Sequence, residues 1–435
     1  MLCDIASNYK IAEGKTDMNV LLMTIGTFHN FSEHGIYIDL LRYFRDQGHS
    51  VFIACTREKR EGLPTCTEEQ EGVQVLRVRI GNITKVNFIE KGISTLMINR
   101  QFSSAIYKYF NNVNFDILLY STPPITLTGA VGSLKRRCHS FTYLLLKDIF
   151  PAGAVDLGVL SKTGIKGIIY RYFRGVEKKL YNDSECIGCM SMKNKRYLLE
   201  HNPQVAESKV SICPNTIDVI EKVSVDKQEI CKNYGIPESK LLLMYGGNFG
   251  LPQNIDYVVS AMESVRDLTD VHFVMCGSGT EFYKIQDYGK KSENNNVTII
   301  NTLPYVEYVK LLATCDAGML FLDYRFQVPN FPSRILDYLN YELPVIAATD
   351  VNTDVGQTIL NGEFGWWCES REISDFREMI KSVKSEWKDE NNRFLQKGKN
   401  AKKYLELFFC SKVAYDEIIA SYNSWKERIE RNEIR

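Results

Sequence analysis

No apolar run in this chain approaches the about eighteen residues that a membrane-spanning helix requires. The longest near the middle is Phe141–Leu146, in FTYLLLKD, and nothing predicts a bilayer crossing. Net charge is lacking too. The 53 Lys and Arg balance 53 Asp and Glu, which removes support for nucleic-acid binding through bulk basicity. The balance hides an asymmetry: residues 1–215 carry 27 basic and 20 acidic side chains, the remainder 26 and 33. The front half is therefore the one suited to an anionic surface. No disulfide framework is visible among the 12 cysteines, most of which sit singly in apolar runs (Cys55, Cys213, Cys276, Cys315). They read as reduced packing residues of a cytoplasmic protein. The one C-x-x-C, Cys186 to Cys189, has no second pair and no nearby His, and in a strand its members point to opposite or skewed faces.

Metal-ligand spacing is absent as well. There is no H-E-x-x-H and no Asp-x-Asp, so no metal is implied, and His49, His201 and His272 read as structural. Residues 1–17 lack an apolar signal core and read as a loose leader or a misplaced start.

What is present is the composition of a soluble globular protein, 44% hydrophobic and 24% charged, with 435 residues pointing to two or three domains. From Met18 an apolar strand (NVLLMTIG), an amphipathic helix (IYIDLLRYFRDQG) and a second strand (HSVFIAC) form a βαβ unit. The runs VQVLRVRI, DILLYST, HSFTYLLL and ECIGCMS extend it. A polar stretch with Pro214 and Pro237 follows, after which the alternation restarts: LLLMYGG, VHFVMCG, VTIIN, AGMLFLD and LPVIAAT, with helices between. Beyond about residue 371 the patterns are helical. The reading is α/β, with two Rossmann-like doubly wound domains facing a cleft at their strands' carboxyl ends: 18–212, 213–412 and a C-terminal helix, 413–435, crossing back to the first domain.

Two glycine turns stand at equivalent strand ends of the second domain, Gly246-Gly247-Asn248 and Gly277-Ser278-Gly279. Either they offer free backbone N–H groups to phosphate or they merely allow tight turns. Neither completes G-x-G-x-x-G or a P-loop. A sharper group is Asn330-Phe331-Pro332-Ser333-Arg334-Ile335-Leu336-Asp337, which opens a helix after AGMLFLD. Ser333 suits an N-cap, Arg334 can grip a diphosphate, and Asp337 on the same face can accept hydrogen bonds from ribose hydroxyls. The alternative is an N-capped surface helix carrying an Arg–Asp pair. A third segment, SKTGIKGIIYRYFRGVEKKLYN at 161–182, interleaves Lys162, Lys166, Arg171, Arg174, Lys178 and Lys179 with Ile165, Ile168, Ile169, Tyr172 and Phe173. It suits a helix at an anionic lipid interface, or the buried face of an ordinary domain helix.

These residues resemble a known family. LYSTPPIT at 119–126, KDIFPAGAVDLG at 147–158, PNTID at 214–218, YGGNFGLPQNID at 245–256, GSG at 277–279 and FPSRILDYLNYELPVIA at 331–347 are together similar to bacterial glycosyltransferases of family 4. Those enzymes have the two-domain B-type fold, and the match is nearest to those that build capsule or O-antigen repeats. The resemblance implies retaining transfer of a UDP- or GDP-linked hexose or N-acetylhexosamine to a lipid-linked saccharide, without a metal or other cofactor, by a peripheral enzyme on the inner face of the cell membrane. Donor binding falls to Gly247, Asn248, Gly277, Gly279, Asn330, Phe331, Ser333, Arg334 and Asp337. Catalysis falls to Asp148, Lys147 and Arg334, with His34 and Gly35 on the acceptor side. The partners implied are a nucleotide sugar, the lipid-linked acceptor and an anionic membrane surface, with no nucleic acid. The chain departs from the family where two glutamates with seven residues between them are usual. Here Pro329 and Asp337 stand in their places, and Lys147 stands where His is common. Two rivals share the fold: a nucleotide-sugar epimerase, and a non-catalytic subunit supporting a partner transferase.

Overall fold

Strands whose side chains are apolar on both faces must be covered on both faces, and the chain satisfies this with two parallel sheets between layers of helices. The computed structural model describes residues 17–84, 86, 88–291 and 295–433, so nearly all of the leader segment lies outside the described residues. The first sheet contains β1 (Asn19–Met23), β2 (Ser50–Glu58), β3 (Cys66–Gln70), β4 (Val73–Ile80), β5 (Ile117–Ser121), β6 (Phe141–Leu146), β7 (Cys186–Cys189) and β8 (Val210–Ile212). Their order is β3-β4-β2-β1-β5-β6-β7-β8, parallel except for the β3–β4 pair. The second contains β9 (Leu241–Asn248), β10 (Val271–Ser278), β11 (Val297–Asn301), β12 (Ala317–Phe321), β13 (Val345–Thr349) and β14 (Gly365–Glu369), all parallel in the order β11-β10-β9-β12-β13-β14.

The period-2 alternation is direct. Leu21 and Met23 enter one core layer, Val20 and Leu22 the other; in β9, Leu242 and Met244 face away from Leu241, Leu243 and Tyr245. Cys186 and Cys189 likewise lie in opposite layers, and burial pushes the Cys189 thiol up to about 12, so the pair cannot act as one site. Three strands escaped the sequence reading. β3 (CTEEQ) is a charged antiparallel edge, the form that protects a sheet rim. β8 has three residues, and the aromatic β14 begins at Gly365, where a Cβ would strike the Val345 carbonyl at 1.9 Å.

In each sheet the strand order reverses direction beside the first strand, β1 or β9, and a crevice opens at the carboxyl ends there. The chain crosses between domains twice, and the crossings are stitched together: Ile217 N donates to the Phe409 carbonyl (3.0 Å) and Ser411 N to the Ile217 carbonyl (3.1 Å). After the second crossing, helix Ser411–Glu433 packs Ala414 and Ile418 into the cluster that holds Leu41 and Phe44, and its Tyr415 bonds His49 Nε2 at 3.0 Å. His272 is buried against Thr298, and His201 stacks on Tyr197.

Helix Gly164–Asp183 divides its residues between both roles read from the sequence. Phe173 packs on Phe150, and Arg174 binds Glu177 and Asn202, so neither belongs to a free surface. Ile165, Ile168 and Tyr172 are 82%, 60% and 55% exposed.

Candidate active site

The cleft between the two domains has a volume of about 820 Å³ and is lined from both sides. On the second-domain side, the ladder between β9 and β10 runs through the glycine turns as far as Asn248 and Ser278. The expected array of free N–H groups is largely engaged. Gly246 N donates to Tyr338 Oη (3.2 Å), Phe249 N to the Ser278 carbonyl (2.9 Å) and Gly250 N to Gln253 Oε1 (3.0 Å). Gly277 and Gly279 are required by packing: a Cβ would meet the Gly247 carbonyl at 1.9 Å or the Phe249 carbonyl at 2.2 Å. Gly277 still lines the cleft, whereas Gly279 belongs to the loop packing behind it.

The charge on this side comes from Arg334, at the first position of helix Arg334–Asn340. Its guanidinium lies 4.4 Å over the Tyr245 ring beside Gly247, and Nη2 donates to the Asn248 carbonyl at 3.4 Å. Nη1 is buried without a partner. Tyr245, Tyr308 and Tyr338 surround it with hydroxyls that burial holds well in the protonated form. Ser333 occupies the N-cap position but makes no capping hydrogen bond, because its own backbone is already helical (φ −65°, ψ −22°); its side chain is exposed at the cleft. Arg334 and Asp337 are half-buried and do not form the exposed Arg–Asp face of a surface helix. They turn to different partners, Asp337 taking a hydrogen bond from Tyr305 Oη at 3.4 Å. Burial pushes the Asp337 carboxyl up to about 6. Asn330 lines the cleft, and Phe331 buries its ring against Phe409.

The first-domain wall carries His34, Gly35, Lys147 and Asp148. Lys147, a catalytic candidate by resemblance, anchors the hinge: Nζ donates to the carbonyls of Pro214 (3.2 Å) and Cys213 (3.5 Å), and desolvation lowers its pKa. Asp148 is fixed by its backbone, with N donating to Thr122 Oγ1 (3.2 Å) and the Thr122 hydroxyl donating to its carbonyl (2.9 Å). Its side chain is open to the cleft, yet the surrounding walls desolvate the carboxyl enough to raise its pKa. Gly35 leaves open space where a side chain would stand. His34 Nδ1 lies 3.5 Å from Asp39 Oδ1, whose hydrogen bond raises the imidazole's pKa. Its ring faces Tyr305 across the cleft at 5.8 Å, which puts His34, Tyr305 and Asp337 in one row spanning both domains.

Comparison with known proteins decides the family of the second domain. The profile of glycosyl transferases group 1 matches residues 226–402. The second domain belongs to that group 1 family. Among curated proteins, the chain is 23% identical over 255 residues to the probable glycosyltransferase WbjE of Pseudomonas aeruginosa, an alignment covering 58% of this chain and 62% of that relative's length. Among solved structures, sucrose-phosphate synthase of Thermosynechococcus elongatus superposes with a TM-score of 0.71 at 14% identity, covering 94% of this chain and 100% of that one. Anabaena Alr3699/HepE, solved with UDP, gives 0.63 at 12% identity over 94% and 100% of the two chains. The fold is the two-domain B-type glycosyltransferase fold.

Facing this group 1 domain are residues that sequence reasoning did not single out. Arg42 Nη1 bonds Asp39 Oδ1 (2.9 Å) and Asp218 Oδ2 (2.8 Å), and Asp218 N donates to Asp39 Oδ2 (3.0 Å). This knot ties the His34 loop to the PNTID hinge, a motif whose Asp218 was the one available signal. Tyr37, beside Asp148 and Ser121, is pushed up to about 12 by burial. Asn215, also in PNTID, donates from Nδ2 to the Phe331 carbonyl at 3.1 Å and keeps a buried, unpartnered Oδ1.

Proposed function

We propose that this chain transfers a sugar, with retention, from a nucleotide sugar to a saccharide carried on a lipid, in the synthesis of a bacterial surface polysaccharide. The observation that carries this reading is Arg334, a guanidinium at the donor wall of an interdomain cleft with one nitrogen buried and unpartnered. An unmatched buried donor is costly unless an anion completes it, and a diphosphate leaving group supplies two charges for such a fork. As the glycosidic bond breaks, negative charge grows on that diphosphate and is stabilised by Arg334 without reorganisation. Asp337, below its pKa of about 6 at most partly ionised and above it a carboxylate, serves as acceptor for ribose hydroxyls. The proposal assigns the leaving-group charge to protein donors and needs no metal. The UDP in HepE and the family of the second domain support a nucleotide-sugar donor.

The test is a panel of UDP- and GDP-sugars, read first as thermal stabilisation and then as turnover. A ligand at a hundred times its dissociation constant stabilises by about 2.7 kcal/mol. Transfer to a polyprenyl-diphosphate saccharide is the expected product. Epimerised donor, or binding with no turnover, would replace this reading with one of its rivals.

The acceptor's lipid calls for a membrane-facing surface, and no described helix is long and apolar enough to cross a membrane. Support for peripheral docking on the inner face of the cell membrane comes from the exposed Ile165, Ile168 and Tyr172 among exposed Lys162, Lys166, Arg171, Lys178 and Lys179. A second helix, Phe88–Tyr109, adds exposed Ile93, Leu96 and Met97 at i, i+3 and i+4, a patch the sequence reading did not find. At about 1 kcal/mol per basic residue near an anionic leaflet, three contacts give reversible, salt-sensitive attachment. Wild type is expected to co-sediment with anionic vesicles at low salt, and Lys166→Gln/Arg171→Gln/Lys178→Gln to remain in solution; Arg174 is spared because it braces Glu177. Equal sedimentation, or none by either protein, would remove the docking surface.

A further inference from the structure

In a short segment of the second domain, residues 327–331, side chains outside it hold one backbone group of each residue, those of residues 327–329 from the first domain. Asp156 Oδ2 accepts from both Gln327 N and Val328 N at 2.9 Å. Asn194 Nδ2 donates to the Pro329 carbonyl at 2.6 Å, and Asn215 Nδ2 to that of Phe331 at 3.1 Å. Thr353 donates to the Asn330 carbonyl, and its own loop is gripped by the first domain: Lys193 Nζ donates to the carbonyls of Val351 (2.8 Å) and Thr353 (3.0 Å), and Lys193 N donates to Asp354 Oδ2 (2.8 Å). Val328 is 6% exposed and sits in the first domain's core cluster with Leu146, Ile149 and Leu198, although it belongs to the second domain's chain segment. The segment leads without a break into Asn330, Ser333 and Arg334 on the donor wall.

A surface loop of one domain ordinarily satisfies its backbone locally or with water. Here Asp156, Asn194 and Lys193 lie in the other domain, so their bonds exist only while the two domains are closed on each other. We infer that residues 327–331 are a strap through which the first domain sets the shape of the donor site, with Asp156 and Asn194 as positioning residues for sugar transfer. The inference rests on the donor-site reading above and extends it. Opening the cleft withdraws Val328 and releases Gln327, Val328 and Pro329 from Asp156 and Asn194, a few residues before Arg334, which loosens the approach to the helix start that carries the guanidinium. Closure rebuilds it. A nucleotide can therefore meet Arg334 and the Gly247 turn in either state, while a geometry fit for transfer is restricted to the closed one. This coupling protects a nucleotide sugar from water until the acceptor domain is in place.

The strap can be read without any ligand, by hydrogen exchange across the full chain in wild type, Asp156→Ala and Asp156→Asn. Asp156 is half-buried at the end of helix Ala152–Asp156, and Asn keeps an oxygen acceptor at the same place. In Asp156→Ala, exchange over 326–332 is expected to quicken about tenfold with β1, β2, β9 and β10 unchanged. Turnover is expected to fall about tenfold while affinity for UDP or GDP, whichever binds wild type, changes less than about threefold. Asp156→Asn should restore most of both. Unchanged exchange over 326–332 overturns the strap, and so does a loosened strap with wild-type turnover. A wild type that binds neither nucleotide defeats the sugar-transfer reading alone, because the exchange measurement still decides the strap.

Discussion

Replacing Arg334 by Ala is expected to abolish nucleotide-induced stabilisation and to lower turnover by about a hundredfold to a thousandfold, the loss typical of one preorganised donor at a developing negative charge. The ligand-free chain should not suffer with it. Arg334 Nη1 is buried without a partner, so the native protein carries an incompletely satisfied charge whose removal relieves a desolvation cost. Against that stands the lost contact with Tyr245 at 4.4 Å, worth about 0.5–2 kcal/mol. The two terms oppose each other, and the midpoint of thermal unfolding is expected to stay level or rise. A substitution that keeps or raises stability while destroying ligand response is the signature of a residue held for binding. Arg334→Lys keeps the charge but not the planar fork, so it should recover only part of the affinity. Titration calorimetry with the nucleoside diphosphate that binds wild type checks this. An unchanged affinity in Arg334→Ala would remove the guanidinium from the donor site.

Arg334 was legible in the sequence because everything that defines it is local: a strand, a break and a helix start within one short stretch. The same holds for most strands, whose apolar runs need no distant information. What was not legible depends on contacts between remote positions. Arg42 meets Asp218 across 176 residues, and Asp156 meets Gln327 across 171; no periodicity encodes either. Ser333 shows a different limit. Its type and place fit a cap, but whether the hydroxyl turns inward depends on backbone angles that residue type does not fix. The glycine turns reveal a third. For Gly277 and Gly279 the sequence leaves open access to phosphate or a tight turn, and in the fold their missing side chains make room for the carbonyls of Gly247 and Phe249. A glycine pattern reports that something approaches closely, and sequence alone does not say whether that is ligand or neighbouring chain. The partners of Lys147 were not legible for a related reason: they are hinge carbonyls, and main-chain acceptors leave no mark in side-chain patterns.

Asp148→Asn is expected to reduce transfer by at least about a hundredfold, within the range for a positioned proton acceptor, with donor affinity kept within about threefold. Asp148 stands on the first-domain wall, opposite the donor machinery, and its backbone is held at both N and carbonyl by the Thr122 hydroxyl. The side chain is thus delivered to the cleft by a rigid loop end, where it can accept a hydrogen bond from an incoming acceptor hydroxyl. Asn keeps the shape and removes the charge, so the fold and the Thr122 bonds should survive. The pH dependence gives an independent check. Desolvation raises the Asp148 pKa, so the proton is held to higher pH than on an ordinary carboxylate. Transfer by wild type should therefore fall as pH drops through a midpoint above the usual aspartate value, because only the ionised form accepts the hydroxyl's proton. In Asp148→Asn that acid limb should flatten, while any pH dependence of donor binding that arises from Asp337 remains. Initial rates of transfer across pH, with donor affinity measured on the same samples, separate the two carboxylates. Equal losses in donor affinity and transfer, or an acid limb that persists unchanged in Asp148→Asn, would take Asp148 out of the acceptor role.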